Sequence, residues 1–361
     1  MKHSIILLSI LTLMFCPSMI AQNKTEQVKH IRKLYAEAKK QIADNGKGAN
    51  PRRDVLLQRR DTNQVSEDFV IEEDYNLHIY FTKQRTSQDS FHHQPYFMIS
   101  NSGANGHSCY REMLFDTQGH LLFSFMKVET HAVFVVESRY YYDAKGNLVE
   151  QKHKVGGSKE SSVANHSWSS FDTDMEQAQK NMKVFQMLMS SYPNGKIQSA
   201  SQPLPTKAER MKFIRSNYTK AKQQVDILDK SDYSTGLFVT IHNQDDVETP
   251  PITDEFKFYY DKVMRNGEFD YHCYFISERR NCMYYQDYCE FLVHPQHDEL
   301  LFFYSNAKEE GEQYETRYYY DATGRCIESK SNTDVKNSTN SLGKAQQLFK
   351  VFHSMFELLS F

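Results

Sequence analysis

Apolar residues recur at helical spacing near the start of each half of the chain. The first stripe consists of Val28, Ile31, Tyr35, Ala38 and Ile42. The second stripe repeats this spacing with Met211, Ile214, Tyr218, Ala221 and Val225. Lys and Arg occupy many of the remaining positions, so each stripe predicts an amphipathic helix with one buried face.

Alternating or aromatic runs follow each predicted helix and are typical of half-buried β-strands. In the first half they cover residues 76–83, 96–100, 110–115, 121–128 and 133–142. In the second half they cover residues 255–262, 273–277, 288–293, 300–304 and 314–320. A further helical pattern closes each half, around residues 174–191 and 342–359.

The turns between these runs indicate how the strands pair. Asp143 and Gly146 take the first and fourth positions of one turn, as Asp321 and Gly324 do in another. Asp hydrogen-bonds the backbone that follows it, and Gly adopts the left-handed conformation of a bulged hairpin. We therefore expect these four residues to be structural turn residues. Short hairpins join antiparallel neighbours, so the pattern predicts a meander.

Segments of the two halves match in the same order, which indicates an internal repeat. Residues 24–35, for example, are echoed by residues 207–218. We expect an α+β fold, a tandem duplication of a unit made of an N-terminal helix, an antiparallel β meander and a C-terminal helix. The predicted units span residues 22–192 and 206–361. Segment 193–205 is rich in Pro, Ser and Gly and is the predicted linker.

Residues 1–21 have the pattern of a signal peptide, with a basic start and a short apolar run before Ala21. Cys16 invites a lipoprotein interpretation, but such signals have a small residue directly before the cysteine, where this chain has Phe15. We therefore favour soluble export, to the periplasm or the medium, over a lipid anchor. No later stretch approaches the roughly 20 apolar residues of a membrane helix, so no membrane span is expected.

Composition narrows the classes of partner and site. The chain has 43 Lys and Arg against 46 Asp and Glu, a net charge of −3, which gives no electrostatic reason to expect nucleic acid. The 23 Tyr and 24 Phe favour half-buried sheet surfaces. There is no CxxC pair, HExxH motif or P-loop, so we expect neither a metal nor a cofactor. A disulfide between Cys273 and Cys289 and free buried thiols are both open alternatives.

One hairpin in each half carries a recognisable motif. Residues 139–146 and 317–324 both read Arg-Tyr-Tyr-Tyr-Asp-Ala-x-Gly. This hairpin resembles the YD unit of Rhs-type repeat proteins, which reads as a strand, a D-x-x-G turn and a returning strand. The resemblance implies a hairpin and no function. The chain as a whole resembles uncharacterised secreted proteins of Gram-negative gut bacteria.

Charged residues at matching positions are the candidates for chemistry. They are Glu112 with Glu290, Glu137 with Glu315, and Arg139 with Arg317. Two residues apart on a strand, Glu137 and Arg139 share a face. A carboxylate pair with an orienting cation would suit glycoside hydrolysis, whereas an ion-pair ladder would be structural. We favour the structural interpretation and predict no catalytic residue.

Clustered tyrosines supply the candidate binding residues. We expect Tyr110, Tyr141, Tyr288 and Tyr319 to lie on an aromatic sheet face, where rings can stack on sugars or contact a protein partner. The alternative is that a second layer covers these rings as core.

Three function classes follow from these patterns. The leading hypothesis is an exported, non-enzymatic binding or interaction protein for an unknown protein or glycan. The second is an extracytoplasmic hydrolase with a cleft between the units, which would use unmatched residues such as His92, His131, Asp245 or Asp246. The third is an enzyme inhibitor or envelope-stress protein that acts through the loop at 156–170.

Overall fold

The structure is a computed structural model. It describes residues 24–48, 50–66, 69–86, 91–104, 107–130, 134–156, 171–190, 205–230, 236–244, 250–265, 268–283, 285–294, 297–309, 311–332 and 338–359. The predicted signal peptide with Cys16, most of the linker and nearly all of loop 156–170 lie outside the described residues.

The elements follow one another in a simple order. The first helix and the strands after it are α1 (Lys24–Asp44), β1 (Arg53–Ser66), β2 (Phe69–Arg85), β3 (Phe91–Ala104), β4 (His107–Phe115), β5 (Leu121–Thr130), β6 (Phe134–Tyr142) and β7 (Leu148–Val155). The two helices that come next are α2 (Phe171–Met189) and α3 (Lys207–Lys230). The remaining elements are β8 (Gly236–Asn243), β9 (Ile252–Arg265), β10 (Glu268–Asn281), β11 (Tyr285–His294), β12 (Glu299–Glu309), β13 (Glu312–Tyr320), β14 (Cys326–Ser331) and α4 (Ser338–Leu359). None of the described helices combines the length and the apolar character needed to cross a membrane.

All fourteen strands form one sheet, in the order β14-β13-β12-β11-β10-β9-β8-β1-β2-β3-β4-β5-β6-β7. Strands β1 and β8 pair antiparallel at its centre, with Val55 opposite Ile241 and Leu57 opposite Val239. Hairpins extend from this central pair to the edge strands β7 and β14. The prediction of an antiparallel sheet is confirmed.

The predicted fold class, a tandem duplication of separate helix–meander–helix units, is wrong. Within the described residues, the structure has one large sheet and four helices instead. Local patterns predicted the hairpins, but they carry no information about the long-range pairing of β1 with β8. Neither of these strands was among those expected from the sequence. In β1 the apolar pair Val55 and Leu57 is followed by a run of polar and charged residues, whereas the alternation of Leu237, Val239 and Ile241 in β8 was a strand signal.

The two faces of the sheet are covered differently. On one face, α2 and α4 pack over a single apolar cluster with members from both halves, among them Val55, Phe185, Ile241 and Phe352. On the other face, the apolar contacts of α1 and α3 form two separate clusters. We call this second side the α1/α3 face.

Helix α1 buries Val28, Ile31 and Ala38 in its cluster, as the apolar stripe predicts. Helix α3 does the same with Met211, Ile214, Ala221 and Val225. The start of α3 is fixed by a capping box, in which Thr206 and Glu209 exchange hydrogen bonds. Both helices are therefore held to the sheet by one face, and their other faces point away from it.

The Asp-x-x-Gly turns have the same geometry in both halves. Asp143 Oδ1 accepts from the backbone of Lys145 at 2.8 Å, and Gly146 has a φ of +81°. Asp321 Oδ1 accepts from the backbone of Thr323 at 2.8 Å, and Gly324 also has a φ of +81°. These side chains close the β6–β7 and β13–β14 turns and take no part in a surface site.

Candidate functional site

The centre of the α1/α3 face is a strip of mostly polar side chains between the two apolar clusters. Cross-strand partners in antiparallel sheets lie on the same face, so the register places these residues side by side. The central strip consists of Asp54, Leu56, Gln58, Asn76, His78, Phe238, Thr240 and His242. Apart from Asp54, which is buried, each of them is half-buried. The strip is therefore a surface within reach of solvent on an otherwise packed sheet.

Asp54 is the charged centre of this strip, and its side chain is only 3% exposed. His78 Nε2 lies 2.6 Å from Asp54 Oδ2, and His242 Nδ1 lies 3.0 Å from Asp54 Oδ1. The contact with His78 is a well-aligned hydrogen bond, whereas the His242 ring is turned off the hydrogen-bond direction. The hydroxyl of Tyr80 is 3.0 Å from His78 Nδ1. One carboxylate on β1 thus contacts two imidazoles, one on each of the strands that flank β1.

The charge of Asp54 is maintained despite its burial. Burial by itself would raise the pKa of Asp54, but the contacts with His242 and His78 outweigh that effect and hold the pKa well below its ordinary value. Arg52 adds a further cation, with Nε 3.3 Å from Asp54 Oδ1. The carboxylate is therefore ionised at neutral pH, orients the His78 ring through a hydrogen bond and contacts the His242 ring at 3.0 Å.

Two clusters on the α1/α3 face join helix and sheet. In the first, Glu112 on β4 accepts hydrogen bonds from Tyr35 of α1 and from Tyr110. Lys39 Nζ contacts the same carboxylate at 2.8 Å. Burial and the neighbouring Glu112 raise the pKa of both tyrosines, which therefore stay protonated as donors.

The second cluster has the same composition in the other half. Glu290 on β11 accepts from Tyr218 of α3 at 2.5 Å and from Tyr288 at 2.8 Å, and Lys222 lies 2.7 Å away. The side chains of Glu112 and Glu290 are only 5% and 4% exposed. Each carboxylate is surrounded by donors from its own cluster, so these groups fasten α1 and α3 to the sheet.

The predicted binding tyrosines occupy two kinds of position. Tyr141 and Tyr319 are buried beneath α1 and α3, with 3% and 9% exposure. Tyr110 and Tyr288 are half-buried, and their hydroxyls donate to Glu112 and Glu290 as described above. The helices form a second layer that covers Tyr141 and Tyr319, so these two rings are part of the core.

The charged pairs before the hairpin turns are ion pairs along one strand. Arg139 Nη2 is 3.3 Å from Glu137 Oε2, and Arg317 contacts Glu315 in the same way. Arg139 also lies over the ring of Phe125. In each pair the two residues stand two apart on one strand, where they share a face.

The opposite face contains buried charges that face the core. Asp174 of α2, which is fully buried, lies 3.2 Å from Arg111 Nε and accepts from Ser124 at 2.9 Å. In the second half, Lys344 of α4 pairs with the buried Glu278. Burial raises the pKa of Asp174 and of Glu278, although the paired cations oppose the rise. These pairs lie between the helices and the sheet.

In the part of the chain that the structure describes, cysteines and the remaining histidines form no further candidate site. Within the described residues, all five cysteines are free thiols and no group of three or more His, Cys, Asp or Glu is arranged to hold a metal. Burial raises the pKa of the Cys273 and Cys289 thiols far above the ordinary value, which disfavours a nucleophilic role. His92 is exposed and contacts Gln94, whereas His131, Asp245 and Asp246 lie outside the described residues.

Sequence reasoning missed the Asp54 cluster. Its members stand at positions 54, 78 and 242, so no spacing motif joins them. Only the pairing of β1 with both β2 and β8 brings them together. The two tyrosine–glutamate clusters could be anticipated from the sequence, since Tyr110 and Glu112 are repeated as Tyr288 and Glu290.

Comparison of the chain with protein families, with curated proteins and with solved structures gave no match. The resemblance of the two hairpins to the YD unit therefore stays a prediction.

Proposed function

We propose that this chain is an exported, non-enzymatic binding protein whose ligand lies on the central strip between α1 and α3. One observation carries the proposal. The face under α2 and α4 is a single closed core, whereas the α1/α3 face has two cores with a half-buried polar strip between them. Polar groups fixed on a rigid sheet are suited to recognition, because little freedom is lost when a ligand binds.

The chemistry of the strip favours a ligand with many hydrogen-bonding groups. Gln58 and Asn76 already share a hydrogen bond of 3.0 Å across β1 and β2, and their remaining donors and acceptors face the same side. His78 continues this row along β2, and Thr240 and His242 extend it onto β8. The half-buried ring of Phe238 supplies an apolar surface beside them. A sugar chain or a polar peptide has this combination of groups.

A hydrolase is the second candidate, and the Asp54 cluster is the observation that favours it. A carboxylate that orients an imidazole is the arrangement used in general base catalysis. His78 is engaged on both ring nitrogens, by Asp54 and Tyr80. His242 is therefore the residue that would act as the base.

A ligand-capture experiment separates the two functions. The protein without its predicted signal peptide would be incubated with arrays of oligosaccharides and peptides, and hydrogen exchange would be measured with each retained compound. We expect the ligand to be recovered intact and β1, β2 and β8 to gain protection. A cleaved product whose formation is lost in His242→Gln would establish the hydrolase, and protection confined to α2 and α4 would contradict the proposed site.

A further inference from the structure

The two helices that flank the central strip carry an excess of positive charge. Helices α1 and α3 together contain 13 Lys and Arg against 6 Asp and Glu. Since the whole chain has 43 basic and 46 acidic residues, the remainder has 30 basic and 40 acidic residues. A weakly acidic protein therefore presents one basic side, which its net charge conceals.

Both helices carry exposed cations, and two of them also contact the sheet. Arg32 Nε donates to the Tyr141 hydroxyl at 3.2 Å, and Lys207 Nζ lies 3.2 Å from Glu328. On α1 the exposed cations are Lys24, Lys29, Arg32, Lys33 and Lys40. On α3 they are Lys207, Lys212, Arg215, Lys220 and Lys230. The apolar stripes of both helices are buried in their clusters, so the outer faces are left for these charges.

Several of these cations are available to a partner. Within the described residues, Lys40, Lys212, Arg215 and Lys220 have no carboxylate at ion-pair distance. Lys29 and Lys33 lie 3.9 Å from carboxylates of their own helix, and all the side chains in these two pairs are at least 60% exposed. Such exposed pairs are worth little and exchange readily with other anions.

From this arrangement we infer that the α1/α3 face binds an acidic polysaccharide, with its carboxylate or sulfate groups on the cations of α1 and α3 and its hydroxyl groups on the central strip. The inference rests on the proposed function and names its ligand class. The 212–220 row of cations extends for about 12 Å along α3, at 1.5 Å per residue, so it matches a charged chain better than a single small ion.

Other partners fit this face less well. Lysine is depleted at protein–protein interfaces, which need an apolar centre, and the large exposed apolar residues on these helices are Phe213 and Ile227 of α3. A membrane-bound helix inserts its apolar face into lipid, and here those faces are buried against the sheet. Single-stranded nucleic acid needs rows of exposed aromatic rings for stacking, and α1 exposes none.

The test compares two sets of substitutions in the protein without its predicted signal peptide, six on the α1/α3 face and three on the opposite helices. The first set changes Lys29, Lys33, Lys40, Lys212, Arg215 and Lys220 to Gln. The control set changes Lys180, Lys183 and Lys350, exposed lysines on α2 and α4, to Gln. Lys, Arg and Gln have similar helix propensities, so both sets should fold, which circular dichroism would check.

Binding would be measured to polygalacturonate, dextran sulfate and neutral dextran at several salt concentrations. We expect the unaltered protein to bind the carboxylated or the sulfated polymer, with affinity that falls as salt rises, and not to bind dextran. The first set should weaken binding on the order of 100-fold, and the control set less than about 2-fold. The two acidic polymers distinguish carboxylate from sulfate recognition.

Equal loss per substituted cation in the two sets would overturn the inference, because it would show a general charge effect. Binding only to anionic lipid vesicles or to DNA would also overturn it in favour of those partners. Binding of neutral oligosaccharides to the strip without acidic polymers would refute the ligand class but retain the proposed function. No binding to any polymer, together with failure of the ligand-capture experiment, would refute both.

Discussion

Removal of the buried charge at Glu112 tests how the helices are held to the sheet. Glu112→Gln keeps the shape of the side chain and one carbonyl acceptor, but it removes the charge that Lys39, Tyr35 and Tyr110 contact. Loss of one partner from a buried pair costs about 3–5 kcal/mol. Because the Lys39 side chain is 39% exposed and can regain water, we lower the expected loss to about 2–3 kcal/mol.

Urea unfolding monitored by circular dichroism would measure this loss. Glu290→Gln changes the equivalent carboxylate in the other half and should cost a similar amount. Glu137→Gln is the matched control, since its ion pair is at a partly exposed position and should cost about 1 kcal/mol or less. A loss below about 0.5 kcal/mol in both buried variants would refute the role assigned to these clusters.

The same variants test the continuous sheet. If the fourteen strands unfold as one cooperative structure, each variant lowers the midpoint of a single transition. The double variant should then lose about the sum of the two single losses in free energy of unfolding, because the sites belong to separate clusters. Two transitions, of which each variant shifts only one, would show that the halves unfold independently.

Three further predictions concern single sites. Because the folded-state pKa of Asp54 lies below the unfolded value of about 3.9, its carboxylate stabilises the fold above that pH, and this stabilisation fades as the pH falls. Asp54→Asn should therefore lower the free energy of unfolding by about 2 kcal/mol at pH 7 and weaken its dependence on pH below about 4. Asp226→Asn, at an exposed helix position, should do neither. Gly146→Ala and Gly324→Ala should each cost about 1–2 kcal/mol in thermal or urea unfolding, because Ala is strained at a φ of +81°, whereas Gly103→Ala, outside that region, should cost less. Iodoacetamide at pH 8 should label the exposed Cys326 in the native protein and reach the buried Cys273 and Cys289 only after unfolding; rapid native labelling of the buried pair would contradict their placement.

The sequence contained the local features of this fold but not its long-range pairing. The stripe from Val28 to Ile42 and the Asp143 turn follow from helical spacing and from glycine conformation, which are properties of a few neighbouring residues. The pairing of β1 with β8 depends on residues nearly two hundred positions apart, for example Val55 and Ile241. No periodic pattern encodes such a contact, so one sheet was mistaken for two units.

The candidate site was hidden for the same reason. Asp54, His78 and His242 are adjacent only because β1 lies between β2 and β8. The basic side was hidden in a different way, because the net charge of −3 averages it with the acidic remainder. The tyrosine–glutamate clusters could be anticipated as pairs of matching residues, although their role in fastening α1 and α3 needed the packing of the helices.

Lysine acetylation with and without polygalacturonate tests the binding face most directly. Mass spectrometry would report the labelling rate of each lysine in the unaltered protein. The account predicts slower labelling of Lys29, Lys40, Lys212 and Lys220 when the polymer is bound, and unchanged labelling of Lys180, Lys183 and Lys350 on the opposite helices. Equal protection on both faces, or protection of α2 and α4 alone, would contradict it.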